Sequence, residues 1–418
     1  MKSRGCLVFV ALAAIVGCKT YEPSPIDWMQ EKSVWLDGGE LKFASLDDVE
    51  RIARIGNAEL NLMRLRRSLS ANVVREIGWW DDPELDVDLM RIVNPAENPH
   101  LGGVALSLTI PLSGVTGLER RAAEAYAAAD AADILAAEWD LRASARQAAL
   151  RLLFARETVQ ALRKFEADAR VASALESAAR LAEAGELSKI ELASARLRRH
   201  QRVHRLREAE ASEAEAEQAL RQLLGVAPAV DLAFRGNVLQ EDGEKALSLR
   251  DPLALVRHPR VQAAVSRLAG GEAALETEIR RQYPDLKVGP AYSREEGMDR
   301  LGFAAGLTIP LWNRNRKGIA EAEGVRDEAR FAAIRAWREV VQEADAAQRH
   351  LARLTNHPPE PSSSRAETEA LLEAGEISPL EYLVVHEEAL DGELMERDWR
   401  RDVWLAKENV RKFATEGK

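Results

Sequence analysis

This sequence has few aromatic residues, no excess of positive charge and no nucleotide-binding motif, and each of these features argues against a class of protein. Aromatic residues make up 5% of the 418 residues, and the hydrophobic 46% depends heavily on alanine, as in long, closely packed helices. The net charge of -10 argues against nucleic acid as the main partner, because phosphate binding needs a basic surface. With 30% charged residues, the chain is not a bundle of apolar membrane helices.

Catalytic and cofactor-binding patterns are also missing. The sequence has no Gly-x-Gly-x-x-Gly segment and no P-loop. Among seven histidines, only His200 and His204 have the spacing of metal ligands, four residues apart on one helix face. Without a third ligand or a glutamate base, a solvated helix face is the simpler interpretation. We therefore predict that the protein is not an enzyme and has no cofactor and no metal site.

The N-terminus has the features of a bacterial lipoprotein signal. Basic residues at positions 2 and 4 precede a ten-residue apolar run, Leu7 to Val16, which is too short to span a bilayer as a helix. The run ends in Ile15-Val16-Gly17-Cys18, which resembles a lipobox. We predict a signal peptide over 1–17, a lipid anchor (palmitate included) on Cys18 and a linker over 18–45. The alternative is an ordinary signal peptide with a chance cysteine. Lys19, where aspartate would signal retention in the inner membrane, favours the outer membrane.

The chain contains a tandem duplication. Three segments return in the same order: Asp82 to Leu85 at an offset of 201, Gly103 to Leu112 at 199, and Leu181 to Ser188 at 190. The second copy is therefore about nine residues shorter. We place the first repeat at 46–235, a linker at 236–251 and the second repeat at 252–418.

Each repeat is predicted to hold a helix, two strands and a helical hairpin. Residues alternate between apolar and polar from Glu84 to Leu89 and from Val104 to Leu112, and the second copy alternates from Leu286 to Tyr292 and from Phe303 to Leu311. About ten residues is also the length of a tilted membrane strand. Four strands cannot close a membrane barrel alone, so membrane-spanning strands would require several chains to share one barrel. The alternative interpretation is a soluble, half-buried hairpin.

The predicted helices are too long for a compact domain. The first helix of each repeat is placed at Leu46 to Ile77 and at Pro259 to Arg281. Leu118 to Ala184 has 67 residues without proline or glycine, which corresponds to about 100 Å of helix. Leu187 to Leu224 and Pro259 to Arg281 together nearly match that length, which favours a slender coiled-coil column.

The turn residues predict two tight hairpin tips. Gly185 and Gly375 occupy positions where a helix ends. Ser188 with Glu191 and Ser378 with Glu381 have the spacing of capping boxes, and Pro379 fits the first helical position.

Taken together, the lipobox, the duplicated helix, strand and hairpin order, and the paired Thr-Ile-Pro-Leu segments at 109–112 and 308–311 resemble the TolC family of outer membrane efflux proteins. The resemblance covers about Leu46 to Phe413. It implies a mainly α fold with a small β part: a homotrimer with four membrane strands per chain, a 12-stranded barrel and a periplasmic α-helical tunnel. Asn313-Arg314-Asn315 after Ile-Pro-Leu further resembles the heavy-metal efflux branch.

The resemblance also implies partners: a periplasmic adaptor (membrane fusion) protein, an inner membrane pump and outer membrane lipid. The adaptor would dock at the tips, Ala184-Gly185-Glu186 and Ala374-Gly375-Glu376, where the family has Val-Gly-Leu. The glycines match and their neighbours do not, so an adaptor that presents a basic residue to glutamate fits better than one that reads an apolar flank.

Acidic residues supply candidates for a gate and a selective lumen. Glu381 matches the first of the family's two acidic gate positions, whereas Val384 departs from the second; helix capping is the plain role for Glu381. Glu84, Asp86 and Asp88 would face the lumen if the alternate residues face lipid. They would favour cations or simply solvate the lumen.

Three prolines between positions 358 and 361 must break the second long helix. The break leaves one predicted helix from Gly318 to Asn356 and a short one from Arg365 to Ala374. We interpret this as a local break rather than a domain boundary. Besides the efflux channel, an adaptor and a pore-free structural lipoprotein remain possible. The exported substrate, metal cation or another small solute, cannot be read from the sequence.

Overall fold

The computed structural model describes residues 21–35, 39–91, 100–236, 238–239, 252–295, 298–307, 309–359, 370–372, 374 and 376–413. In these residues the helices are α1 (Trp28–Trp35), α2 (Leu46–Gly56), α3 (Ala58–Glu76), α4 (Val115–Glu166), α5 (Ala169–Ala184), α6 (Lys189–Leu224), α7 (Pro259–Arg280), α8 (Arg316–Asn356) and α9 (Pro379–Arg411), with a 3-10 turn at Ala254–Arg257. The strands are β1 (Glu40–Phe43), β2 (Glu84–Arg91), β3 (His100–Pro111), β4 (Asp231–Phe234), β5 (Asp285–Glu295) and β6 (Met298–Leu307). The predicted signal peptide and Cys18 lie outside the described residues.

The residues that the structure describes form two sheets where one was expected. The four predicted strands form an antiparallel sheet in the order β2-β3-β5-β6. A second, two-stranded sheet pairs β1 with β4 in parallel, and the Phe43 and Phe234 rings lie 5.3 Å apart. This pairing ties the segment before α2, which the sequence analysis assigned to a linker, to the end of the first repeat.

Two predicted helices are each divided in two. Residues Leu118 to Ala184 do not form one helix: α4 ends at Glu166, and Asp168 starts α5 by accepting the Arg170 backbone N–H at 2.9 Å. The first helix is interrupted at Asn57, whose side chain caps α3. In both places a short polar side chain bonds the local backbone in place of an unbroken helical ladder. The 52 residues of α4 span about 78 Å rather than 100 Å.

The strand boundaries also differ from the prediction. The second strand starts at His100 rather than Val104, and β6 ends at Leu307, so Ile309 and Leu311 lie beyond it. Proline at 310 has no N–H to offer a ladder, which is consistent with a strand that ends before it.

Helix α4 is the longest of the described helices, and the two shorter helices that were predicted to lie against it, α6 and α7, both contact it. Helices α6 and α7 pack against different parts of α4, and α2, α3 and α9 also contact it. The largest apolar core lies where the two-stranded sheet meets these helices and includes Phe43, Leu150, Leu152, Leu220 and Leu224, all fully buried. Among the residues described, no helix is both long enough and apolar enough to cross a bilayer.

Candidate channel surface and docking tips

The four-stranded sheet has two chemically different faces. Its strand register places Leu85, Val87 and Leu89 on the same side as Leu106, Tyr292 and Phe303. These side chains are exposed, up to 84% for Leu89 and 80% for Phe303. The opposite face carries small or polar residues: Gly103, Ala105, Ser107, Gly289, Ala291, Ser293, Gly302, Ala304 and Gly306.

One of these small residues is required by the backbone. A Cβ at Gly289 would lie 1.6 Å from the Leu106 carbonyl oxygen. Strands β3 and β5 could therefore not approach as they do with any other residue at this position.

The three acidic residues of β2 lie together on the small-residue face, as predicted. Their neighbour Lys287 was not predicted from the sequence; its Nζ lies 2.8 Å from Glu84 Oε2. The pair joins positions 203 residues apart, so periodicity within one strand could not reveal it. Lys287 therefore offsets part of the negative charge of the three acidic residues on this face.

Exposed aromatic side chains cluster at one end of the same sheet. The start of β2, the end of β3, the start of β5 and the end of β6 all lie at this end, because the strands are antiparallel neighbours. Trp79 and Trp80 precede β2, Tyr283 precedes β5 and Trp312 follows β6; they are 54% to 85% exposed. None of these four residues was predicted from the sequence to belong to the site.

The Asn-Arg-Asn segment has a structural role at this same end. Arg314 and Asn315 both have left-handed backbone, with φ of 45° and 49°. Asn315 precedes α8 and donates to the Glu278 carbonyl at 2.9 Å and its carboxylate at 2.6 Å. Asparagine tolerates this backbone better than most residues. In the first repeat, Gly114 precedes α4 with the same left-handed backbone, φ 70°.

The first predicted tip has the expected geometry. Gly185 has φ of 83°, and the Glu186 N–H donates to the Leu181 carbonyl at 2.9 Å, as in a Schellman ending. In the second tip the Glu376 N–H donates to Leu371 at 3.0 Å, the equivalent bond. Gly375 lies outside the described residues, whereas Ala184, Ala374 and both glutamates are exposed.

Both capping boxes are confirmed. The Ser188 amide donates to Glu191 at 2.9 Å, and the Ser378 amide donates to Glu381 at 2.8 Å. Hydrogen bonds with Ser378 lower the pKa of Glu381, and the bond from the Ser378 backbone N–H has a larger effect than the bond with its hydroxyl. In a single chain Glu381 therefore caps α9 as an exposed carboxylate, and its assignment to a gate remains a prediction.

A buried polar cluster, not predicted from the sequence, joins the two hairpins above the tips. Arg202 on α6 is 6% exposed and donates to Glu166 at 3.1 Å and to Glu387 of α9 at 3.2 Å. Its guanidinium also lies 5.1 Å from the centre of the Phe165 ring. The ring of His386, buried on α9, stacks on Phe165 at 4.9 Å. The bond from Arg202 to Glu387 spans 185 residues of sequence, which local patterns do not encode.

No group of three or more histidine, cysteine or acidic side chains arranged to hold a metal ion occurs in the part of the chain that the structure describes. His204 Nδ1 lies 3.2 Å from Glu208, on the exposed side of α6. His200 is exposed one turn earlier.

Comparison with known proteins identifies the fold. No protein-family model matches the chain. The cobalt-zinc-cadmium resistance protein CzcC of Cupriavidus metallidurans is 29% identical over 229 residues, covering 53% of this chain and 54% of CzcC. The chain thus spans about half the length of this curated relative.

Solved structures match over more of the chain. CusC, described in connection with transmembrane channel formation, matches with a TM-score of 0.69 and 15% identity over 89% of this chain and 92% of its own. The CmeC outer membrane channel of Campylobacter jejuni matches with a TM-score of 0.69 and 17% identity over 95% and 90%. These likenesses confirm the resemblance to TolC-type outer membrane channels at the level of the fold.

Proposed function

We propose that this TolC-type chain is the outer membrane exit duct of a tripartite efflux pump. Three copies would join their four-stranded sheets into one 12-stranded barrel and their helices into a periplasmic tunnel. A lipid on Cys18 would hold the N-terminus at the outer membrane. The duct would be passive and without catalytic activity, and an inner membrane pump would supply the energy.

The observation that carries this proposal is the two-faced sheet. Leu85, Leu89 and Phe303 are exposed on a continuous apolar face, and such a face in water is an aggregation hazard unless lipid or protein covers it. The opposite face bears small and polar side chains, the alternation expected of a strand between lipid and a watery lumen. Trp79 and Trp312 lie where the strands join the helices, a position typical of residues at a membrane surface.

The two alternatives explain less of the structure. A pore-free coiled-coil lipoprotein would account for the helices and tips but not for this sheet. A periplasmic adaptor would have one hairpin between β-rich domains, whereas this chain has two hairpins and paired strands in both repeats.

Metal cations are the favoured cargo, and other small solutes are the alternative. The similar CzcC is by its name a cobalt-zinc-cadmium resistance protein. Glu84, Asp86 and Asp88 would line the lumen and attract cations, and Lys287 would oppose them. Neutralising all three acids should lower cation preference in single-channel recordings, and Lys287→Gln should raise it. Equal selectivity in all three channels would mean that these residues only solvate the lumen.

Docking of the adaptor is assigned to the tips at 184–186 and 374–376. Both present a glutamate next to the turn, and the glutamate side chains are exposed. Charge reversal at Glu186 and Glu376 together should weaken capture of a cognate adaptor with a basic tip residue, whereas replacing both with glutamine should weaken it less. Equal capture by all variants would remove the glutamates from the docking surface.

The experiment that tests the duct is conductance. The mass of the intact, detergent-solubilised particle is measured first. The protein is then inserted into planar bilayers that have different salt concentrations on their two sides. Trimer-sized particles with discrete, cation-selective openings are expected. Particles of one or two copies that never conduct, even after loosening of the tips, would favour the pore-free lipoprotein.

A further inference from the structure

The turn from β6 into α8 carries three basic residues that the equivalent turn of the first repeat lacks. Arg314, Arg316 and Lys317 follow the end of β6, and all three are exposed. The offset of 199 residues that relates the strands of the two repeats places them opposite positions 115, 117 and 118, which are valine, glycine and leucine. The duplication therefore does not account for these charges, which are specific to the second repeat.

Another basic residue lies at the same edge of the sheet. Asn315 Nδ2 donates to the Glu278 carbonyl at 2.9 Å and so ties the turn before α8 to the last turn of α7. Arg280 is exposed in that last turn, and its guanidinium lies 6.0 Å from the centre of the Tyr283 ring. Both turns join the neighbouring strands β5 and β6 to their helices. We use the name basic corner for Arg280, Arg314, Arg316 and Lys317 together.

The charge of the basic corner is little used within the chain. Arg280, Arg314 and Arg316 form no ion pair with any residue that the structure describes. Lys317 lies 3.7 Å from Glu321, but both side chains are largely exposed, so water screens this pair. The basic corner is therefore available to an anion from outside the chain.

Exposed apolar side chains lead from the sheet directly to the basic corner. Leu307 lies on the apolar face at the end of β6, and Ile309 and Leu311 follow it, both more than half exposed. Trp312 comes next and is exposed as well. The chain thus passes from apolar to aromatic to basic residues over a few positions. A lipid leaflet has the matching order, since its acyl chains, its interface and its phosphates prefer these residue types in turn.

The depth of the corner fits one layer of lipid headgroups. Each headgroup region of a bilayer is about 5 to 7 Å thick. Only two residues separate Arg314 from Trp312, which limits their Cα atoms to about 7 Å apart. Arg316 and Lys317 lie in the first turn of α8, where the helix rises about 1.5 Å per residue. If Trp312 marks the membrane interface, as proposed, these charges lie at the level of the lipid phosphates.

The opposite edge of the sheet has the opposite charge and supplies a competing partner. Asp81 and Asp82 precede β2, and both are exposed. In a closed barrel the β6 edge of one copy would lie next to the β2 edge of another, so these acids could meet the basic corner. Two carboxylates would not neutralise four basic residues, and they would leave the apolar side chains at 309 and 311 uncovered. A molecule with a negative group and apolar chains fits the whole surface better.

We propose that the basic corner binds the headgroup phosphate of an anionic phospholipid, one lipid per chain. The phosphate accepts hydrogen bonds from Arg314 and Arg316, whose guanidinium groups match its geometry, and the acyl chains lie against Ile309 and Leu311. A zwitterionic lipid binds more weakly, because the same basic residues repel its positive group. This inference rests on the proposed membrane position of the sheet and names the lipid that the duct selects there.

Native mass spectrometry with added lipid tests the proposal. The full-length protein in a non-ionic detergent is mixed with equal amounts of phosphatidylglycerol and phosphatidylcholine that have the same acyl chains, and the lipids kept by the intact particle are counted. Phosphatidylglycerol should be kept in preference, up to one molecule per chain. Equal retention of the two lipids would overturn the proposal.

A triple variant tests the residues. Arg314→Asn, Arg316→Gln and Lys317→Gln together should weaken phosphatidylglycerol binding by about a hundredfold, because each basic residue near a lipid surface contributes about fivefold in affinity. Arg316→Gln alone should weaken it by about fivefold, which keeps the test decisive if the triple variant misfolds. Unchanged binding in a folded variant would refute the assignment.

A matched control separates position from net charge. Arg330, Arg338 and Arg353 are exposed on the same helix, at about 20 Å or more from Arg316. Replacing these three with glutamine removes the same charge and should leave phosphatidylglycerol binding unchanged. Equal losses in both triples would mean a general attraction of anions and would refute a specific site.

Two further measurements separate the lipid from its competitors. If the basic corner instead pairs with a neighbouring copy, the basic triple and the double variant Asp81→Asn, Asp82→Asn should both release single copies while the lipid count per chain stays the same, and this result would reject the lipid site. Displacement of the lipid by an equal concentration of soluble glycerol phosphate would mean a site for a free anion and would also reject it. Conductance tests the duct separately. A conducting trimer that keeps both lipids equally would reject the basic corner alone, and a lipid-selective particle that never conducts would reject the duct alone.

Discussion

Replacing Arg202 with methionine should loosen the contact between the two hairpins above the tips. The side chain donates to Glu166 at 3.1 Å and to Glu387 at 3.2 Å, and it stacks on Phe165. Methionine keeps much of the apolar stem but leaves both carboxylates without this partner. We expect the tips of the proposed channel to open by a movement of α9 away from α6, which would break this contact.

The size of the effect follows from burial. Removing one partner of a buried ion pair costs about 3 to 5 kcal/mol. Glu166 and Glu387 are 20% and 17% exposed, so water compensates part of the loss and we expect the lower end, about 3 kcal/mol. If the open arrangement lacks this contact, the ratio of open to closed channels should rise by about a hundredfold.

Single-channel recording measures this ratio, and Arg205→Met is the matched control. Arg205 lies one turn from Arg202 on α6 and pairs with Asp391 of α9, but the Arg205 and Asp391 side chains are 52% and 37% exposed. An exposed pair contributes about 1 kcal/mol or less, so the control should open at most about fivefold more often. If the Arg202 variant unfolds at a lower temperature but opens no more than the unmodified channel, the cluster supports the fold alone and does not hold the tips together.

Three further predictions concern other parts of the chain. Burial, followed by the charge of Arg260, lowers the pKa of His258 to about 4, so its contribution to stability is complete above pH 6.5 and is lost as the pH falls towards 4. His258→Asn keeps a cap for α7 without titrating, and it should reduce the loss of stability between pH 7 and pH 5 by up to about 2 kcal/mol, read from thermal melts; an unchanged pH dependence would contradict the assignment. Trp79 and Trp312 should be quenched more strongly by lipids brominated near the headgroup than by lipids brominated near the chain end, and the reverse order would displace the proposed membrane boundary. Glu381→Gln keeps a capping-box residue and should leave the helical circular dichroism unchanged while lowering cation conductance, whereas unchanged conductance and opening would leave Glu381 as a cap only.

Features set by neighbouring residues were predictable from the sequence. The ending at Gly185 and the capping boxes at Ser188 and Ser378 depend on a few adjacent side chains and backbone groups, and the structure has each of them. The alternation in β2 and β3 likewise fixed which residues share a face. These interactions are local, so their sequence patterns carry most of the information.

Features that depend on distant residues were missed or predicted incorrectly. The break before Asp168 lies in an alanine-rich stretch without proline or glycine, so helix propensity alone favoured continuity. The partners of Arg202 and Lys287 lie up to 185 and 203 residues away, and only the packed hairpins and the formed sheet bring them together. A basic residue in a sequence does not reveal which carboxylate it will meet.

The two breaks in the long helices are related by the duplication, although different residues produce them. The offset of 190 that aligns the tips relates Asp168 to Pro358, and α8 ends at Asn356 just before that position. In one copy an aspartate caps the helix that follows the break, and in the other copy prolines follow the end of the helix, at the same distance from the tip. Each tip hairpin is thus joined to its column by an interrupted helix at one level, with Arg202 and His386 packed beside the first of these breaks. A break removes backbone hydrogen bonds that would resist bending, so the side-chain contacts at this level must supply the stiffness of the tips. Residues at this level are therefore expected to set how readily the proposed tunnel opens.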